Sequence, residues 1–135
     1  MSSWEFKHAD LLDLADNAVE NAYAPYSGFR VGAAALARNG KTYIGVNVEN
    51  ASYGLTICAE RSAIFNAVSC GATQIKAIAV VADRDGHRVK VPPCGACRQV
   101  MFEFMTIYGE VILGPKSVIE LRELLPMPFG VTDLR

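Results

Sequence analysis

Two short stretches of the sequence carry side chains suited to chemistry: Cys58-Ala59-Glu60, and Pro93-Cys94-Gly95-Ala96-Cys97. Cys94 and Cys97 have the C-x2-C spacing with which two thiolates grip one zinc ion. Taken alone, the pair could equally be a redox dithiol or half of a structural zinc site. A structural site needs four closed ligands, and the remaining candidates are Cys58, Cys70, His8 and His87. If Cys58 and Cys70 bracket one helix, they stand about 18 Å apart. Zinc–sulfur bonds are only about 2.3 Å long, so one of the two at most can join the pair. Three protein ligands plus one open position is the pattern of a catalytic zinc. Glu60 favours Cys58 as the third ligand, because a carboxylate beside a metal-activated water can shuttle protons. Without a metal, Glu60 would be an ordinary acid in a helix's first turn, where the dipole favours it. Cys70 reads as a small apolar residue at a helix end.

The elements around these clusters follow from the apolar pattern. Residues 8–23 have helical spacing and end before Ala24-Pro25, since a residue before proline disfavours the helical region. Phe29–Ala37 and Thr42–Val48 read as strands joined by Asn39-Gly40, a strong hairpin signal. Residues 59–69 read as a helix with Gly71 as its stop. Ile75–Ala82 is a continuous apolar run, expected of a strand buried on both faces. Gly95–Tyr108 reads as a helix and Glu110–Leu113 as a strand, and Ser117 is expected to cap a last helix running through Leu125. The order is αββαβαβα. It points to a three-layer α/β/α sandwich on a mixed sheet of about five strands, with residues 1–135 as one domain. Both cysteine clusters then sit at helix N-termini, whose partial positive charge favours thiolates. Three thiolates on Zn2+ leave one net negative charge. Arg61 and Arg98 are placed to offset it from behind the sulfurs, and each could otherwise be a solvated surface arginine.

Composition narrows the function classes. The chain has 135 residues, 51% hydrophobic and 20% charged, with a formal net charge of −1. It can bury a real core, and it lacks the basic excess of a nucleic-acid binder. No stretch approaches the ~18 apolar residues of a membrane span. Glu5, Asp10, Asp13 and Asp16 occupy the place where a secretory signal would be basic, then apolar. A cytoplasmic chain is expected, and its four cysteines suggest metal binding or catalysis rather than disulfides.

The combination C-A-E followed by P-C-G-A-C resembles the zinc-dependent nucleoside and nucleobase deaminases, whose pattern has His or Cys, then Glu, then P-C-x-x-C. The chain is similar in particular to the small homotetrameric cytidine deaminases. That similarity runs through Ala24-Pro25-Tyr26-Ser27-Gly28-Phe29, Val31–Ala34, Gly45–Tyr53, Cys58–Arg61, Pro93–Gln99 and Leu124–Phe129. The resemblance implies hydrolytic deamination of cytidine and deoxycytidine in pyrimidine salvage, with one Zn2+ per chain on Cys58, Cys94 and Cys97. It implies Glu60 as the catalytic acid and base, and Arg61 as the compensating charge. Asn47 and Glu49 match residues that bond the ribose hydroxyls, and Phe29 matches an aromatic that packs on the pyrimidine. The backbone at Ala59 and Pro93 would address the base edge and the departing ammonia. Ala51, Tyr53 and Phe129 match positions that reach a neighbouring subunit's site in a homotetramer. The implied partner is a small pyrimidine nucleoside, with no nucleic acid and no membrane.

Other readings stay open on the residues alone. Asn47 and Glu49 could be a solvent-facing pair on one strand face, Phe29 and Phe129 core aromatics, and Tyr26 and Tyr53 part of a subunit interface. Free cytosine, guanine, dCMP or an aminonucleoside such as blasticidin S are rival substrates. A zinc-stabilised module without turnover, or a redox protein using Cys94 and Cys97, are rival classes.

Overall fold

The computed structural model describes residues 7–135, and the expectation resting on Glu5 lies outside the described residues. Strand β1 (Phe29–Ala37) sets the layering. Successive side chains leave a strand on opposite faces, and both faces of β1 are apolar. Val31, Ala33, Ala35 and Ala37 belong to one buried cluster, and Ala34 and Leu36 to a second. Strand β3 (Ile75–Arg84) divides the same way, with Ile78, Val80 and Ala82 in the first cluster and Ala77 and Ala79 in the second. Helices α2 (Ala59–Ser69) and α3 (Gly95–Phe104) fill the first cluster with Ala63, Ile64, Ala67, Cys97 and Met101. Helix α1 (His8–Ala18) closes the second with Leu11 and Ala15. The result is the expected three-layer α/β/α arrangement, with a core on each side of the sheet.

The strand order is β2 (Thr42–Val46), β1, β3, β5 (Glu110–Gly114), β6 (Ser117–Glu120), with β4 (His87–Val89) paired to β3. Only β3 and β5 run parallel, so the sheet is mixed. Their parallel connection must cross from one end of the sheet to the other, and α3 lies in that crossover.

Two glycines let the layers approach. A Cβ at Gly32 would lie 2.2 Å from the Ala15 carbonyl oxygen of α1, and one at Gly45 would lie 2.1 Å from the Ala63 amide nitrogen of α2. No side chain fits either gap. The helix backbones therefore rest directly on the sheet, which fixes the height of α2 above it.

Several expected boundaries shift, each for a local reason. The first helix gives way at Val19–Asn21 to a 3-10 turn. Strand β2 stops at Val46, because Val48 leaves the β1 edge to bridge Tyr23 and Ile57. Strand β3 continues to Arg84 by pairing with Phe29 and with β4. The third helix ends at Phe104, because Met105 is extended and the Thr106 hydroxyl accepts from the Tyr108 amide, competing with helical bonds. The expected helix capped by Ser117 is wrong at its start. Ser117–Glu120 is a strand bonded antiparallel to β5, and only Leu121–Leu124 (α4) is helical. With β4 the described sheet has six strands rather than five. Among the described residues, no helix is long and apolar enough to cross a membrane.

Candidate active site

Helices α2 and α3 pack on the same face of the sheet, and their first residues carry the chemistry. Cys58 is the N-cap of α2 and Cys94 the N-cap of α3. Cys97 lies one turn into α3, fully buried, and its amide donates to the Cys94 sulfur at 3.5 Å. The three Sγ atoms lie within 4.8 Å of one another. Cys58 and Cys94 are 3.8 Å apart, and Cys94 and Cys97 3.4 Å. Two sulfurs bound to one tetrahedral zinc at 2.3 Å stand about 3.8 Å apart, so the triad fits that ion with little adjustment. Cys70 is the C-cap of α2, at the opposite end of the helix from Cys58. His8 pairs with Glu110, and His87 sits on the exposed β4. None of these three joins the triad, which leaves three sulfur ligands.

Proton sharing and a nearby cation set the electrostatics. The hydrogen bond with Cys97 is the main influence holding the Cys58 thiol down to about 5, and the Arg61 guanidinium helps. Arg61 Nη2 donates to the Cys58 sulfur at 3.2 Å. The same pairing raises the Arg61 pKa, and the Cys58 thiolate pushes the Cys97 thiol up. Arg61 thus lies against the thiol triad. Arg98 does not. Its Nε donates to the Pro93 carbonyl and its Nη1 to the Leu124 carbonyl, both at 2.8 Å.

Glu60 is 5% exposed, unusual for a glutamate. Burial is the main cause that raises its carboxyl to about 7, with the Cys58 thiolate adding to the rise. Its own backbone amide and Arg61 pull the other way. Glu60 is the second residue of the helix whose N-cap is Cys58, so a buried carboxyl follows the first thiol closely in the chain.

The remaining sequence candidates spread outward from this centre. Ala59 and Pro93 are buried beside Cys58 and Cys94. Phe29 packs half-buried at the edge of the same core, with the Arg84 guanidinium 5.0 Å above its ring. Asn47 is buried, and its side chain clamps the start of β1. Its Oδ1 accepts from the Val31 amide and its Nδ2 donates to the Phe29 carbonyl, at 2.9 and 2.8 Å. Glu49 accepts from the Tyr26 and Ser27 amides at 3.0 and 3.1 Å and from the Ser27 hydroxyl. Tyr26, Ser27, Glu49, Tyr53 and Thr56 line a recess of about 310 Å3. Ala51, Tyr53 and Phe129 are exposed.

Sequence reasoning passed over Ser27 as a partner of Glu49, although it lies inside the quoted Ala24–Phe29 stretch. It also passed over Asp83. This buried carboxylate accepts from Arg88 at 2.7 Å, and Arg88 bonds on to Asp16 of α1 at 2.6 Å. A single acid closing an apolar run was the only available signal.

Residues 6–114 match the family model described as the cytidine and deoxycytidylate deaminase zinc-binding region. The chain is 50% identical over 128 residues to a cytidine deaminase of Halalkalibacterium halodurans, covering 92% of this chain and 95% of the relative. It is 45% identical to a probable cytidine deaminase of Dictyostelium discoideum, covering 91% and 84%. Among solved structures, the cytidine deaminase from Burkholderia pseudomallei superposes with a TM-score of 0.83 at 45% identity, over 92% of this chain and 100% of that one. The cytidine deaminase from Mycobacterium tuberculosis gives a TM-score of 0.84 at 39% identity, over 94% and 100%. Sulfurs spaced for zinc at two helix starts, a buried glutamate beside them and a sequence matched along most of its length give one answer: this chain belongs to the zinc-binding cytidine and deoxycytidylate deaminase family.

Proposed function

We propose that the chain hydrolyses cytidine and deoxycytidine to uridine and deoxyuridine plus ammonia. The observation that carries this reading is the thiol triad, three sulfurs within 4.8 Å, with the buried Glu60 two residues from Cys58. Cys58, Cys94 and Cys97 would hold the zinc ion. When bound, zinc supplies Lewis-acid activation of water at neutral pH.

The chain's own groups do the rest. Glu60 takes one proton from the attacking water and delivers it to N3 of the pyrimidine ring as oxygen bonds to C4. It then passes the second water proton to the amino group, the C4–N bond breaks, and ammonia leaves. Arg61, with the Cys97 hydrogen bond, helps hold Cys58 as a thiolate by its bond to the sulfur. The backbone at Ala59 and Pro93 lies beside the ligands and would bond the base edge and the leaving amine. Phe29 would pack on the pyrimidine. Asn47 uses one Nδ2 hydrogen on the Phe29 carbonyl and keeps a second for a sugar hydroxyl. Glu49 would accept from the ribose, and its negative charge disfavours a 5′-phosphate.

The exposed Ala51, Tyr53 and Phe129 would complete a neighbour's site in a homotetramer. Residues 1–135 would act as one catalytic domain in the cytoplasm, in pyrimidine salvage. A net charge of −1 gives no sign of the basic excess that polynucleotide binding favours.

The test is ultraviolet absorbance of zinc-loaded protein with cytidine, deoxycytidine, cytosine, dCMP and blasticidin S in parallel. Loss of the two nucleoside bands is expected, at a rate reduced by roughly a thousandfold or more in Glu60→Gln, which still holds zinc. Turnover of only one of the other compounds replaces the substrate. No turnover of any compound by zinc-holding protein sinks the enzyme reading.

A further inference from the structure

Arg98 is half-buried, and it makes no ion pair with a carboxylate among the described residues. Both bonds of its guanidinium go to main-chain carbonyls. One is that of Pro93, the residue before Cys94, and the other that of Leu124, the last residue of α4. Its own amide bonds the Cys94 carbonyl at 3.0 Å. That amide bond is the first i→i−4 bond of α3, whereas the hold on the Pro93 carbonyl belongs to the arginine side chain alone. The next side chain, Gln99, donates to the Phe129 carbonyl at 2.6 Å. The C-terminal segment from α4 onward is thus tied at two points, Leu124 and Phe129, to the helix that carries two of the three thiols.

We propose that Arg98 is a positioning residue that couples the C-terminal segment from α4 onward, residues 121–135, to the metal-holding turn. The guanidinium is planar and its donors stand at fixed angles. When the Leu124 carbonyl is in place, the fork fixes the Pro93 carbonyl and with it the direction of the Cys94 sulfur. A shift at either end is transmitted to the other. The coupling is reciprocal: a bound metal orders the C-terminal segment to the same degree that this segment tightens the metal. Lysine is a compact charge on a flexible stem and cannot hold two carbonyls in one geometry.

This inference rests on the zinc reading above. The experiment compares wild type, Arg98→Gln and Arg98→Lys, each with zinc loaded and with zinc stripped by a chelator. Two readouts are followed: zinc transfer to a colorimetric chelator, and limited proteolysis within residues 121–135. In wild type, zinc should slow cleavage of the segment roughly tenfold. In both variants, zinc should leave about 10–100-fold faster, and it should no longer protect the segment. Arg98→Lys keeps the charge and carries the test if Arg98→Gln does not fold. A merely structural arginine would alter overall stability but leave the zinc dependence of cleavage intact, and that result overturns the proposal. Zinc-independent cleavage in wild type also overturns it. A wild-type chain that holds no zinc overturns both readings, whereas a zinc-holding chain without the coupling overturns only this one.

Discussion

A carboxylate that accepts several hydrogen bonds stays ionised to lower pH than a free one. Glu49 is such a group, and the Ser27 hydroxyl is the main cause that lowers its pKa. The sign follows directly. Its folded value lies below the ordinary 4.5, so the stabilisation is present above about 4.5 and lost as pH falls through the lower folded value. Glu49→Gln should therefore melt below wild type at neutral pH, and the gap should close in acid. Thermal melts taken from neutral pH down through this range would check it; a constant gap would refute it. If Glu49 also accepts from the sugar, KM for cytidine rises in the same variant while kcat changes less. At this scale the sequence was legible wherever chemistry restricts residue type. Few side chains ligate zinc, so Cys58, Cys94 and Cys97 stood out, and Glu60 with them. Arg98 was not legible in the same way. Its partners are backbone carbonyls, which every residue offers, and only the fold decides which ones come within reach.

Helix α2 sits on β2 without a side chain between them at Gly45. Gly45→Ala forces a Cβ to within 2.1 Å of the Ala63 amide nitrogen, and backbone cannot swing aside as a side chain can. The expected cost is about 3 kcal/mol, at the upper end for overpacking. Urea unfolding should show it, and the lifted α2 should also release zinc faster, because Cys58 begins that helix. Unchanged stability would mean that the layers separate more easily than their packing implies. The long elements were readable because their apolar period is sustained, as in Phe29–Ala37 and 59–69. The short ones were not. His87–Val89 has only three residues, with no period to detect. Ser117–Glu120 is half-buried throughout and fits a helix start or a strand equally well. Pairing with β5 decided it, and such pairing is invisible to a local reading.

Across the whole molecule, large apolar side chains remain on the surface. Tyr53 is 78% exposed, Met127 92% and Leu134 73%. Subunit interfaces are enriched in aromatic residues and Met, so the exposure of Tyr53 and Met127 supports the proposed sharing of sites between subunits. Co-expression of Glu60→Gln with Phe129→Ala tests that sharing. A site with Glu60 from one variant and Phe129 from the other is complete, so the mixed assembly should exceed the summed activity of the two parents. Strict additivity would place each site within one chain. The strand order has a consequence for how the chain comes to be folded. Cys58 and Cys94 are 36 positions apart, and the chain between them includes β3, which lies between β1 and β5. The sulfurs meet only after that central strand has docked on partners distant in sequence, a slow event in chain assembly. A metal ion that needs all three sulfurs would then find its site only on a chain whose central strand is already in place.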